Sequence, residues 1–67
     1  MDKFIERLKE LRAEKKLTQS QLAKETGLSQ SAIALWENGQ RIPNALAIIT
    51  LCKYFAVTSD FLLGISD

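Results

Sequence analysis

Three amides and a hydroxyl, Gln19, Gln30, Asn38 and Ser31, are the side chains whose type and spacing suggest chemistry here, and that chemistry is recognition. An amide offers a donor and an acceptor side by side, and a hydroxyl offers both on one atom. Such groups can read a hydrogen-bond pattern on another molecule, but they do not relay protons near neutral pH. The residues that would do so are scarce. The chain has no histidine and a single cysteine, Cys52, which removes the commonest general base and leaves no zinc-ligand set. Gly27, Gly39 and Gly64 lie too far apart to form a phosphate-binding loop. An enzyme reading has almost nothing to stand on, and neither a metal nor a cofactor is expected.

The segment that carries most of these groups, LSQSAIALWENG, runs from Leu28 to Gly39 and holds one charge, Glu37. Ser29 reads as a helix N-cap, Leu28 and Ile33 are spaced for a hydrophobic staple, and Asn38-Gly39 stops the helix. At about 100° per residue, Ile33 and Trp36 fall together, flanked by Ala32 and Glu37. Gln30, Ser31, Ala34, Leu35 and Asn38 share roughly the opposite 140°. Leu28, Ile33 and Trp36 suffice to seat the helix, so the other face is free to meet something else. A Gln can pair with adenine N6/N7, a Ser can bond several base edges, and Ala or Leu can pack on a thymine methyl. A short helix with such groups near its amino end suits a major groove about 12 Å wide.

The elements around it are marked as sharply. A first helix is expected from about Asp2, its cap, to Lys16, burying Phe4, Ile5, Leu8 and Leu11, with Lys15-Lys16 against its carboxyl-end dipole. Thr18 and Gln21 form a capping box for a second helix, stapled by Leu17 and Leu22, that reaches Glu25 or Thr26 and ends at Gly27. Two short helices about a glycine-centred turn form a helix-turn-helix, over residues 18–38. Pro43 pushes Ile42 into an extended link. Asn44 then caps a fourth helix, Ala45 to about Ala56, and Thr58 caps a last one, Ser59 to Leu63, closed by Gly64. Ile48, Leu51, Cys52, Phe55 and Val57 stand at core spacing. The expected fold is all-α, five compact helices in one domain spanning residues 1–67.

Sixty-seven residues, 46% hydrophobic and 25% charged, make an ordinary globular composition near the lower size limit for a self-supporting core. No apolar run is long enough to span a bilayer, Met1-Asp2-Lys3 does not open a signal peptide, and a lone cysteine suits a reducing cytosol; a cytoplasmic location is expected. Net charge is only +1, low for a nucleic-acid binder, so a phosphate-facing surface has to be assembled locally from Lys15, Lys16, Lys24 and Arg41.

TQSQLAKETGLSQSAIALWENGQRIP, together with the terminal TSDFLLG, resembles the helix-turn-helix of the Cro/phage-repressor type, the XRE family of bacterial and phage regulators. The resemblance covers essentially the whole chain and implies a lambda-repressor-like fold. It also implies sequence-specific binding to double-stranded DNA and regulation of transcription, most plausibly repression. It assigns base reading to Gln30, Ser31, Ala34 and Leu35. By the same resemblance Gln19 corresponds to the residue that bonds a phosphate and braces the first recognition-helix side chain, and Asn38 to a phosphate-binding residue, with Arg41 in the adjacent loop; Lys24, from the charge distribution, is expected to face phosphates as well. Leu35 stands where many relatives carry Gln, Arg or Lys, so direct readout rests on few hydrogen bonds, and two half-sites read by a homodimer are expected. Phe61, Leu63 and Ile65 are the candidate dimer interface, with core completion as the competing reading. The chain reads equally as a whole small regulator or as the amino-terminal part of a longer one. A protein-interaction module of the same fold, or an antitoxin or restriction-control regulator, are the alternatives.

Overall fold

Every capping signal in the sequence but that of Asp2 opens or closes a helix. The computed structural model describes residues 1–66, so that Asp67 of the expected domain lies outside the described residues. The elements are α1 (Asp2–Glu14), α2 (Gln19–Thr26), α3 (Gln30–Glu37), α4 (Ala45–Phe55) and α5 (Ser59–Leu63), and no strand occurs among the described residues. Thr18, Ser29, Asn44 and Thr58 cap α2 to α5, each side chain accepting from the backbone N–H three residues on. At α2 the box is reciprocal: the Thr18 N–H donates to Gln21 Oε1 at 2.8 Å.

Three boundaries differ from expectation. Asp2 does not cap α1. Met1 holds that position without a side-chain bond, because residue 2 is already helical. The helix also stops at Glu14, two residues early. Lys16 turns to φ 56°, its N–H bonding Ala13 O and the next one, Leu17 N–H, bonding Arg12 O. That is a Schellman closure made without glycine. α4 likewise ends one residue early, with Ala56 at φ 56°.

Helix packing gathers Phe4, Leu8, Leu22, Ile33, Trp36, Leu51, Phe55 and Leu62 into one core. Ile48, Cys52 and Val57, expected inside, lie half-buried against it, and Ala47 takes the inner position on α4. A small residue there lets α4 approach closely. Burial raises the Cys52 thiol above its ordinary range, which disfavours the reactive thiolate.

α5 docks on α1 and α4. Arg7 of α1 lies over the Phe61 ring, 4.3 Å from its centroid, and donates to the Phe61 carbonyl oxygen. Gly64, at φ 78°, closes α5 where a Cβ would run into the side chain of Lys3. Gly27, at φ 76°, has open space around the same point. Both incur the left-handed penalty of about 1–2 kcal/mol if given a side chain, but only Gly64 adds a clash. Gly64→Ala is therefore expected to lower the urea midpoint clearly more than Gly27→Ala. Equal losses would show that the α1–α5 contact yields freely.

Candidate nucleic-acid interface

The third helix is seated by its apolar side. Ile33 is fully buried and Trp36 is 5% exposed, its ring set edge-on to Phe4 with centroids 6.4 Å apart. α3 packs on both α1 and α2. The turn between α2 and α3 is three residues, Gly27-Leu28-Ser29, with Gly27 left-handed and Leu28 N–H bonded to the Thr26 hydroxyl at 3.3 Å. So short a link fixes the angle at which α3 leaves the body.

With that side buried, Gln30 and Ser31 in the first turn stand exposed, and so does Asn38 at the C-cap. Ala34 and Leu35, expected on the same outward face, are half-buried. They form the floor between the polar residues at the two ends. Lys24 on α2 and Arg41 in the loop after α3 are exposed cations flanking this surface in sequence. Arg41 borders a hollow shared with Met1, Asp2 and Trp36. Of Phe61, Leu63 and Ile65, the first two are half-buried and Ile65 is exposed.

The feature that sequence reasoning missed is Glu37. It is 4% exposed, a charged residue inside a small core. Arg12 of α1 grips it with two bonds, Nε to Oε2 at 2.9 Å and Nη2 to Oε1 at 2.8 Å. The remaining reach of Arg12, Nη1 to Leu17 O at 2.8 Å, ties the same guanidinium to the segment entering α2. Burial alone would raise the Glu37 carboxyl, but the bonds from Arg12 and Gln19 and the charges of Arg12 and Lys9 prevail and hold it below its ordinary range. Arg12 is raised by the same pairing, against its own partial burial. Gln19 at the start of α2 does not brace Gln30. Its Nε2 donates to Glu37 Oε1 at 3.0 Å, seven residues and roughly 10 Å along α3 from Gln30. An Arg and a Glu 25 residues apart carry no local signal of pairing. A lone acid flanking Ile33 and Trp36 on the wheel was the available hint.

A short second helix and a seated third helix joined by a tight glycine turn define a helix-turn-helix domain. The helix-turn-helix family model matches residues 8–62, and the chain belongs to this XRE-type family of transcriptional regulators. Among its relatives is the HTH-type transcriptional activator BcrR of Enterococcus faecalis, 44% identical over 61 residues, which are 91% of this chain and 30% of that protein. Two uncharacterized HTH-type transcriptional regulators of Bacillus subtilis (strain 168) also match. YobD is 31% identical over 96% of this chain and 57% of its own length. YqaE is 37% identical over 90% and 52%. The chain thus spans from under a third to just over half the length of these relatives. No solved structure matches it. Among the described residues, no helix is long and apolar enough to cross a membrane.

Proposed function

We propose that this domain binds an operator in double-stranded DNA as a homodimer, laying α3 of each copy in the major groove. The observation that carries the proposal is the division of α3. Ile33 and Trp36 are buried, and Gln30, Ser31 and Asn38 are exposed at its two ends. An uncharged, hydrogen-bonding face is suited to base edges, whose donors and acceptors are unique to each pair in that groove. In this reading Gln30 and Ser31 read bases and Ala34 and Leu35 meet thymine methyls. Gln19, Lys24, Asn38 and Arg41 hold phosphates, which fix register without selecting sequence. The domain catalyses nothing, and residues 1–67 act as one unit. Ile65, beside the half-buried Phe61 and Leu63, offers apolar surface to a second copy.

The proposed outcome is control of transcription in a bacterial or phage cytoplasm, with repression by a dimer that covers a promoter. Activation is the role in the name of one relative, of which this chain covers 30%. An operator moved from over the promoter to upstream of it separates the two: occlusion is relieved by the move, and activation is gained.

The low net charge of +1 favours a second reading, a module of this fold that binds protein and not DNA. A salt titration on random duplex decides between them. Two cations per copy and two copies neutralise four phosphates, so log K should fall against log salt with a slope of about −3 to −4. Absence of duplex binding at low salt would remove the DNA reading. Selection of bound sequences from random duplexes then gives the half-site, and its symmetry tests the dimer.

A further inference from the structure

Resting on the reading of DNA by two copies, we infer that the second copy docks on the outward face of α4, and that this contact forms on DNA. Ile42 in the link before α4, and Leu46 and Ile49 on it, are 71%, 70% and 50% exposed. They are three of the five large apolar side chains that stand exposed among the described residues. At about 100° per residue, Ala45, Leu46, Ile49 and Lys53 share an exposed arc of about 100°. It lies opposite Ala47, Leu51 and Phe55, which face the core. On a surface helix that outer face is ordinarily polar. Thr50 at its border does not make it so, because its hydroxyl is spent within the helix, donating to the Leu46 carbonyl oxygen at 2.9 Å.

The face suits a copy of itself. Lys53 is the only charge on α4. A two-fold axis crossing the helix at Ile49 sets the two α4 helices antiparallel, with each Lys53 opposite the other copy's Ala45. The lysines then stand eight residues, about 12 Å, apart along the pair, beyond a Debye length of about 10 Å at ~0.1 M salt. Apolar side chains meet and no like charges are forced together. The position is also compatible with DNA. α4 packs on α2 and α5, whereas α3 packs on α1 and α2, so a copy seated on the far side of α4 does not need the surface of α3. The end of α5 offers less, since Ile65 is exposed but Phe61 and Leu63 are half-buried.

The size of the patch says when the contact forms. Ile42, Leu46 and Ile49 bring on the order of 200 Å² of side-chain surface per copy, taking about 60–120 Å² for each fully buried Leu or Ile. A stable interface takes about 800 Å² from each partner. The patch is thus the apolar centre of a small interface, too weak to hold two free copies together at micromolar concentration. Two half-sites on one duplex raise the effective concentration of one copy for the other to millimolar order, where a weak contact suffices.

The test compares duplexes carrying one and two copies of the selected half-site, with Leu46→Gln and Ile49→Gln combined in one variant. Both side chains are exposed, so folding, checked by circular dichroism, should be kept. In the wild type, the first bound copy is expected to raise the affinity for the second about tenfold or more. The variant should bind one half-site within about twofold of wild type and lose that gain. A variant that keeps the gain, or a wild type that never shows it, overturns the inference and leaves DNA reading standing. A wild-type protein that binds no duplex overturns both. Free wild-type protein at micromolar concentration should sediment as a monomer, and a free dimer would show that the contact does not wait for DNA. Should the variant fail to fold, crosslinking decides. In a Cys52→Ser background on the two-site duplex, oxidised Ile49→Cys should give a covalent dimer and Ile65→Cys should not. The reverse would move the second copy to the end of α5 and sink the inference.

Discussion

Arg12→Met is expected to destabilise the domain by about 3 kcal/mol at neutral pH, and to do less harm in acid. Methionine restores most of the volume, so little of the loss comes from packing. The loss comes from Glu37, which would remain 4% exposed with its charge and only Gln19 to bond it. Breaking a buried pair by removing one partner costs about 3–5 kcal/mol. The lower end applies because the Arg12 side chain is 22% exposed. Among the described residues no buried side-chain nitrogen or oxygen lacks a partner, so the variant would create the first. A chain of 67 residues is held by roughly 3–10 kcal/mol, so this one change removes a third or more of it.

The pH dependence carries the sign. In the wild type Glu37 lies below its ordinary range, so the stability it contributes is present above the unfolded value, about 4.3, and fades as pH falls through the folded one. In the variant, burial acts with less opposition and raises the carboxyl. The folded state then takes up a proton more readily than the unfolded chain, and the penalty grows as pH rises through about 4.3 toward the raised folded value. Urea midpoints at pH 7 and pH 4 check this. The wild-type contribution should weaken toward pH 4, while the gap between wild type and variant closes. A gap that stays constant would mean that Glu37 is not the group left unpaired.

Why this pair was invisible while the rest was not follows from range. Caps, staples and glycine stops act over three to five residues, so Thr18, Gln21, Ser29, Asn44 and Thr58 announced their helices from sequence, and the structure has each of them in place. Ile33 and Trp36 announced the seated side of α3 by their period. The family is shown by the match over residues 8–62. The errors lie where tertiary contacts outvote local preference. Lys16 and Ala56 take a left-handed turn that glycine would have signalled. Ala47 is buried in place of its larger neighbour Ile48 because the spacing between helices sets the size allowed. Gln19 meets the far end of α3 and not its start, since the angle between α2 and α3 is written in no single stretch. The roles proposed for Gln30, Ser31, Ala34 and Leu35 rest on residue type, because their proposed partner is another molecule.

Gln30→Ala is expected to weaken binding to the selected operator by about 1–3 kcal/mol for each half-site, and to relax the choice at one base pair in each. Gln30 opens α3, is exposed, and makes no hydrogen bond through its side chain among the described residues. Its backbone conformation is set by the Ser29 cap, so alanine should leave stability within about 0.5 kcal/mol. That separation makes the experiment clean, because a loss of affinity without a loss of folding cannot be blamed on the scaffold. Ala34 and Leu35 bring no hydrogen bonds to the middle of the face, so few polar groups share the readout and each should weigh heavily. Asn38→Ala is the contrast. On the proposed role of Asn38 as a phosphate contact, its removal should lower affinity for operator and random duplex by the same factor, leaving their ratio unchanged. Competition between selected and scrambled duplexes measures that ratio directly. If Gln30→Ala lowers both affinities alike, or leaves the preferred base pair unaltered, Gln30 is not reading a base, and the specificity must lie elsewhere on α3 or in the shape of the DNA.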